Sequence, residues 1–162
     1  MPDMPEKVLN QEPADGLTII SQVGFVVRDL EKTVEKMRKT LGVEPVAIMQ
    51  MPEKERKYHG EDGDFSARIG FYRFANIELE FIEPGGGPSV WMDHINEKGE
   101  GLHHVRFNIK SIDELAGLFS KKGIAISQQG ASTREGHHWA YFDTEEALGF
   151  VVEVFDELKD IP

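Results

Sequence analysis

The chain contains an internal repeat, which predicts two copies of one structural module. Residues 22–32 read QVGFVVRDLEK and residues 104–114 read HVRFNIKSIDE. Most of the aligned positions are identical or conservative, and the identical pairs are Val23 with Val105 and Phe25 with Phe107. A chain that repeats its apolar pattern in this way is expected to fold as two similar halves around a shared core.

The repeat also superimposes polar residues. Each copy is followed at a distance by an apolar strand with a carboxylate in its middle, IELEF with Glu80 and FVVEV with Glu153. Gln22 therefore corresponds to His104, and Glu80 corresponds to Glu153. A packed core requires the repeated apolar residues, but it does not require a polar residue at each equivalent position. The coincidence predicts a functional site.

Hydrophobic patterning predicts the order β-α-β-β-β in each half, which is an α+β arrangement. The first half is predicted to have strands at 19–27, 43–49, 67–74 and 77–82, a helix at 30–40 and a charged loop at 52–64. The second half is predicted to have strands at 103–109, 124–128, 139–143 and 150–155, a helix at 112–122 and a loop at 129–137.

These elements predict one domain over residues 18–156, with a flexible N-terminal arm at 1–17 and a tail at 157–162. Within the domain, module 1 covers 18–84, a linker helix covers 88–99 and module 2 covers 101–156. The arm is polar and lacks the basic start and apolar centre of a signal peptide. The run PGGGP at residues 84–88 divides the two halves.

Composition narrows the range of partners. The formal net charge of −11 disfavours phosphate backbones and anionic lipid surfaces, so we expect no nucleic acid and no membrane partner. The chain has no cysteine, which excludes disulfides and thiolate ligands and is compatible with a cytoplasmic location. The expected partner is a small molecule, and an anionic one would need local positive charge.

Strand periodicity predicts that the four polar residues share a cup. Successive side chains on a strand alternate between faces, which places Gln22, Glu80, His104 and Glu153 opposite the apolar residues that pack under the helices. If the two half-sheets curve towards each other, the four side chains meet. One amide oxygen, one imidazole nitrogen and two carboxylates suit one divalent metal ion, Zn²⁺ first, with Ni²⁺, Co²⁺ or Mn²⁺ as alternatives.

Other polar residues near these strands have less specific roles. Arg106 and Asn108 share the face of His104 on the same strand. Arg106 would there neutralise a carboxylate, an acid linked to a thioester, or a phosphate of the substrate. Glu78 is expected to be an exposed strand residue.

The residues resemble the vicinal oxygen chelate superfamily, which includes glyoxalase I, methylmalonyl-CoA epimerase, bleomycin resistance proteins and extradiol dioxygenases. The segment GEGLHH at residues 99–104 is similar to the Gly-Leu-His-His segment of the epimerases, whose second histidine is a metal ligand. Glu80, four residues before a proline, and Glu153 match two further ligand positions. Gln22, followed by an aspartate seven residues later and a helix ending in Leu-Gly, looks like the zinc type of glyoxalase I.

The resemblance implies two βαβββ modules in a cupped, curved mixed sheet, a metal at Gln22, Glu80, His104 and Glu153, and a homodimer. It also implies that Glu153 is the base that moves a proton beside a carbonyl. Epimerases carry a second glutamate base early in the third strand, where this sequence has Arg68. An arginine cannot be that base, so we expect Arg68, with Arg106 and Asn108, to bind substrate.

The expected function is that of a metal-dependent isomerase or lyase of the glyoxalase I type. One alternative is an acyl-CoA epimerase similar to methylmalonyl-CoA epimerase, which the His-His segment favours. A dioxygenase would require two histidines and one carboxylate around iron, and the first ligand here is a glutamine. A metal-free small-molecule binding or resistance protein is the alternative from a different class, and the full ligand set disfavours it.

Overall fold

In a computed structural model, the chain is described from residue 16 to residue 161. Most of the predicted N-terminal arm lies outside the described residues. The strands are β1 (Ile19–Val26), β2 (Ala47–Gln50), β3 (Lys57–Tyr58), β4 (Glu61–Asp62), β5 (Ala67–Arg73), β6 (Glu78–Pro84), β7 (Gly101–Asn108), β8 (Ile126–Ala131), β9 (His138–Phe142) and β10 (Val151–Phe155). The helices are α1 (Leu30–Leu41), α2 (Val90–Lys98), α3 (Ile112–Ser120) and α4 (Glu145–Leu148).

The strands form one mixed sheet in the order β2-β5-β6-β1-β7-β10-β9-β8-β3-β4. Its centre is the antiparallel pair of β1 and β7, the two repeated strands. On either side of this pair lies a parallel neighbour, β6 against β1 and β10 against β7. The predicted α+β fold with two βαβββ modules is confirmed, and the repeat is expressed as an approximate twofold relation between the halves.

Helices α1 and α3 cover the same face of the two half-sheets. Helix α1 begins after Asp29, whose side chain accepts a hydrogen bond from the backbone N–H of Lys32, and ends at Gly42 with a left-handed φ of 67°. Helix α3 begins after Ser111, whose hydroxyl oxygen accepts from the N–H of Glu114. Both helices begin at the residues predicted from the sequence, 30 and 112.

Three apolar clusters stabilise the sheet. Two lie beneath α1 and α3 on one face, and the third lies around α2 on the other. Beneath α1 lie Val27, Leu30, Val34, Tyr72 and Phe81. Beneath α3 lie Ile109, Leu115, Phe119, Ala140, Phe142, Val152 and Val154. A third cluster brings the α2 residues Trp91 and Ile95 together with Val26, Ile82, Tyr141 and Val151. The remaining polar face of the central strands is therefore left for a site.

The predicted loop at 52–64 contains a short hairpin, β3–β4, that the sequence analysis missed. Its two central residues, His59 and Gly60, have φ values of 48° and 84°, as a tight two-residue hairpin turn requires. Strand β3 leaves the first half and pairs with β8 of the second half. Two-residue strands carry no measurable periodicity, so this pairing is a consequence of tertiary structure. Strand β8 also extends to Ala131, into the predicted loop at 129–137.

No helix among residues 16–161 combines the length and the apolar character needed to cross a bilayer.

Candidate metal centre

The four repeat-related polar residues converge at the centre of the sheet. Gln22 and His104 come from β1 and β7, while Glu80 and Glu153 come from the flanking strands β6 and β10. All are buried, with exposed fractions of 0% for Gln22 and His104, 6% for Glu80 and 5% for Glu153. Four neighbouring strands thus supply one side chain each to a single enclosed point.

The His104 Nε2 atom is the centre of this group. It lies 2.9 Å from Glu153 Oε2 and 3.1 Å from Glu80 Oε2. It lies 3.3 Å from Gln22 Oε1. The ligand atoms offered by the two glutamates and His104 all fall within 4.8 Å of one another.

Three oxygens around one ring nitrogen are more than one proton can satisfy. An imidazole nitrogen carries at most one N–H, so it donates one good hydrogen bond, and the Oε2 atoms of Glu80 and Glu153 have no hydrogen-bond partner. Buried carboxylate oxygens without a donor are costly. A divalent cation would satisfy both glutamates, the Gln22 oxygen and the His104 nitrogen together, so the donor set fits a metal such as zinc.

The electrostatics of His104 and the two glutamates also favour a positive charge at this point. Burial alone lowers the pKa of His104, but the negative charges of Glu153 and Glu80, 2.9 Å and 3.1 Å from its Nε2, raise this pKa to about 9. Burial raises the pKa of Glu80, and the repulsion of Glu153 adds to this effect while His104 opposes it. The two carboxylates therefore favour a positive charge beside them, and in the absence of a metal this charge is a proton on His104.

Two β-bulges precede the two ligands of the central strands. On β1 the register passes from Ile20 to Gln22 while the partner strand advances one residue, so Ser21 is the extra residue. On β7 the corresponding extra residue is His103. The bulge brings the Nδ1 atoms of His103 and His104 to 3.1 Å. A bulge re-aims the side chains beside it, and both halves use one at the equivalent place.

A cavity of about 290 Å³ opens next to the cluster. Glu80 and Glu153 border it, whereas Gln22 and His104 are not among the residues that line it. Its other walls are largely apolar and aromatic, and they include Met49, Met51, Phe71, Trp91, Trp139, Tyr141 and Phe155. A small molecule placed there would touch both carboxylates and be shielded from water on several sides.

Arg106 borders the cavity beside Glu153, as the sequence analysis expected. Its Nε donates to Ser21 Oγ at 3.1 Å, and its guanidinium lies 5.4 Å from the centre of the Phe155 ring. Ser21 Oγ in turn donates to Asn108 Oδ1 at 2.8 Å. These contacts position the arginine, and Asn108 acts on it through Ser21 instead of lining the cavity.

Arg68 does not line the cavity. Its guanidinium lies 2.5 Å from a carboxylate oxygen of Glu31 on α1 and 3.7 Å from one of Glu83. These partners belong to the α1 side of the sheet, so the structure does not bring Arg68 into the site. The sequence analysis placed it there through an alignment to the third strand, and strand periodicity alone does not tell which of its two faces borders a site.

Glu78 is the main residue whose role the sequence analysis missed. It was expected to be exposed, but its side chain is only 13% exposed and it borders the cavity. Its Oε1 accepts a hydrogen bond from Gln22 Nε2 at 2.8 Å. Arg73, which also borders the cavity, lies 3.0 Å from Glu78 Oε2. A usable signal was its position two residues before Glu80, on the same face of the strand.

Comparison with known proteins identifies relatives of this arrangement. The model of a family described as the glyoxalase/bleomycin resistance protein/dioxygenase superfamily matches residues 21–142. The uncharacterized protein YqjC of Bacillus subtilis (strain 168) is 27% identical over 96 residues. That alignment covers 57% of this chain and 66% of YqjC, slightly under two thirds of the relative's length.

Solved structures with the same fold include methylmalonyl-CoA epimerases. The Streptomyces coelicolor epimerase, in complex with 2-nitronate-propionyl-CoA, has a TM-score of 0.62 and 21% identity, covering 86% of this chain and 97% of that chain. The hypothetical protein BH1468 from Bacillus halodurans C-125 has a TM-score of 0.63 and 20% identity, covering 84% and 91%. At these identities the likeness establishes the fold alone.

Proposed function

Because the chain belongs to the glyoxalase/bleomycin resistance protein/dioxygenase superfamily, we propose that it is a divalent-metal-dependent isomerase or lyase of the glyoxalase I type. The reaction removes a proton from the carbon next to a carbonyl group and returns it to the adjacent carbon. The observation that carries the proposal is the convergence of three oxygens on His104 Nε2 at the edge of an apolar cavity.

Gln22, Glu80, His104 and Glu153 would hold the metal, with zinc as the first expectation and nickel, cobalt or manganese as alternatives. When bound, a divalent ion polarises a carbonyl oxygen as a Lewis acid and makes the neighbouring C–H more acidic. The remaining steps are assigned to side chains of the chain itself.

Glu153 is the proposed base. It borders the cavity, and on the neighbouring strand its Cα is in register with that of Arg106, whose side chain borders the same cavity. A substrate anion held by Arg106 would therefore place its reactive carbon beside the Glu153 carboxylate. Glu153 would take the proton from carbon as the C–H electron pair forms a C=C bond and the carbonyl π pair moves to its oxygen. Glu153 would then return the proton to the former carbonyl carbon, while the hydroxyl group on the first carbon becomes the new carbonyl and its proton passes to the former carbonyl oxygen, so the net change is an isomerisation.

The register partners of Glu80 are Gly24 on β1 and Phe71 on β5, which are uncharged, although the charge of Arg106 also acts on Glu80. Because Arg106 is in register with Glu153 and not with Glu80, we assign proton transfer to Glu153 and leave Glu80 as a ligand. Arg106 contributes a charge-assisted hydrogen bond to the substrate, which fixes its orientation.

A second candidate is two-base epimerisation of an acyl thioester. It is favoured by the placement of Glu80 and Glu153 on strands that flank the central pair on opposite sides, with both carboxylates bordering one cavity. One carboxylate could remove a proton from one side of a carbon while the other delivers a proton to the opposite side. The epimerases of the same fold are described in complex with 2-nitronate-propionyl-CoA and with methylmalonyl-CoA.

The test is metal analysis of protein purified without added metal, repeated on His104→Ala and on the control His59→Asn. His59 is an exposed histidine at the β3–β4 turn, with a positive φ that asparagine tolerates. We expect about one zinc, nickel, cobalt or manganese ion per chain, lost in His104→Ala and kept in the control.

Turnover should then be measured on methylglyoxal–thiol hemithioacetals and on methylmalonyl-CoA. Isomerisation of the former supports the glyoxalase type, and epimerisation of the latter supports the second candidate. Iron in the purified protein would instead favour a dioxygenase. Protein that carries no metal and takes none up on titration would overturn the proposal and leave a cup that binds small molecules.

A further inference from the structure

The amide of Gln22 has two ends of nearly equal size and opposite chemistry. Its oxygen can bind a cation, whereas its NH₂ group can only donate hydrogen bonds. Rotation of the amide by half a turn exchanges the two ends with little steric change. In the absence of a metal, the NH₂ group would find acceptors in the carboxylates of Glu80 and Glu153, and that orientation would turn a donor towards the place where a cation must bind.

Glu78 selects the opposite orientation. It lies across from Gln22 in the parallel β1–β6 pair, and its Oε1 accepts a hydrogen bond from Gln22 Nε2 at 2.8 Å. A carboxylate is an acceptor, so it pairs with the NH₂ end and would be repelled by the oxygen end. The Gln22 oxygen is consequently turned inward, 3.3 Å from His104 Nε2.

Glu78 is itself fixed on both sides. Arg73 Nη2 lies 3.0 Å from its Oε2, and Arg106 Nη2 lies 3.7 Å from its Oε1. The side chain is 13% exposed, so its position is determined by these contacts more than by solvent. Gln22, Glu78 and the two arginines form a continuous polar chain from the candidate metal position to the cavity wall.

We infer that Glu78 is a positioning residue, which holds the Gln22 amide so that its oxygen faces the metal. This inference rests on the proposed function, because it assumes that Gln22 is a metal ligand. It also explains why a partner is needed at this position. The two oxygens of a carboxylate are equivalent, whereas an amide needs a partner to turn its oxygen, and not its NH₂ group, towards the metal.

The test measures metal affinity directly, by titrating metal-free protein with Zn²⁺ and by following the visible absorption of bound Co²⁺. The variant Glu78→Gln is nearly isosteric, but its own amide can turn either end towards Gln22. We expect the affinity to fall about 10- to 100-fold, the usual effect of losing a partner that orients a metal ligand. The control Glu61→Gln removes one negative charge from an exposed position on β4, outside the carboxylate groups that could hold a metal, and should bind metal as the wild type does.

The double variant Gln22→Glu/Glu78→Gln exchanges the two groups and keeps one hydrogen bond between them. The ligand is then a carboxylate, whose two oxygens are equivalent, and the new amide at position 78 can donate to it. We expect affinity at least equal to that of the wild type, whereas Gln22→Glu alone places two carboxylates in contact and should bind more weakly than the double variant.

The outcomes separate the two claims. If the wild type binds metal and Glu78→Gln binds it equally well, the positioning role is wrong while the proposed function stands. A double variant that remains as weak as Glu78→Gln would also overturn the positioning role. If the wild type binds no metal, both the proposed function and this inference fail.

Discussion

Gly24 lies directly opposite His104 across the β1–β7 pair, and the imidazole ring occupies the space that a side chain at position 24 would need. A Cβ atom built on Gly24 would lie 1.8 Å from His104 Cε1 and 2.1 Å from its Nε2. These separations are far below van der Waals contact. The ring can face the three oxygens because residue 24 has no side chain.

We therefore predict that Gly24→Ala disrupts the candidate metal centre. The added methyl group must displace a fully buried ring, which we expect to abolish metal binding and to lower the free energy of unfolding by about 1–3 kcal/mol. Metal content and urea unfolding would measure the two effects. The matched control is Gly117→Ala in α3, where a Cβ meets no atom within 4 Å. It should retain metal and be unchanged or slightly more stable, since alanine favours helices. Normal metal content in Gly24→Ala would contradict the geometry.

Glu153→Gln should separate proton transfer from metal binding. Glutamine still offers an oxygen ligand, but it cannot accept a proton from carbon. We expect kcat to fall by a factor of about 10²–10⁴ at saturating metal, the usual contribution of a general base. Steady-state kinetics on metal-loaded protein would give the value, with metal content measured on the same sample. Full turnover by this variant would exclude Glu153 as the base.

Removal of the cavity arginine should weaken substrate binding. A charge-assisted hydrogen bond contributes about 1.5–3 kcal/mol, so Arg106→Gln should raise KM about 10- to 100-fold for an anionic substrate. Arg68→Gln is the matched control, since Arg68 pairs with Glu31 outside the cavity. Its KM should equal that of the wild type. A KM for Arg106→Gln equal to that of the wild type would show that Arg106 does not contact the substrate.

The metal-free protein should lose stability as the pH rises. The pKa of His104 is about 9 in the folded protein, above its ordinary value of 6.5, so the folded state holds this proton more tightly than the unfolded state does. The stabilisation is complete below pH 6.5 and is lost as the pH passes through about 9. The raised pKa of Glu80 acts in the same direction.

The measurement is the free energy of unfolding across this range in the presence of a chelator. His104→Asn should lack most of the dependence, because it cannot hold the proton. Metal competes with that proton, so the affinity of the wild type for zinc should increase over the same pH range. A metal-free wild type whose stability rises between pH 6.5 and 9 would show that the sign of the His104 shift is wrong.

Much of the fold could be predicted from the sequence because the repeat and the strand period carry the information. The alternation of apolar and polar residues placed Gln22, Glu80, His104 and Glu153 on one face, and the structure brings these four together. The first residues of the helices at 30 and 112 were also predicted. Each of these features depends on residues close in sequence.

Other features were not predicted, and each depends on contacts between distant segments. The β3–β4 hairpin is ordered by its pairing with β8. Glu78 is half-buried, in contact with Gln22 and Arg73 from other strands. Arg68 was assigned to the site because an alignment gives a residue's position along a strand but not the environment of its side chain.

The sequence by itself determined the repeated module, the faces of its strands and the chemical types of the four converging side chains, because periodicity and repetition are local properties of the chain. Tertiary structure alone decided how these side chains meet. The bulges at Ser21 and His103 exist only in the pairing of β1 with β7, and one extra residue in a strand changes which way its neighbours point. Two other contacts likewise arise only when separate strands become neighbours. They are the packing of the His104 ring over Gly24 and the hydrogen bond from the Gln22 amide to Glu78.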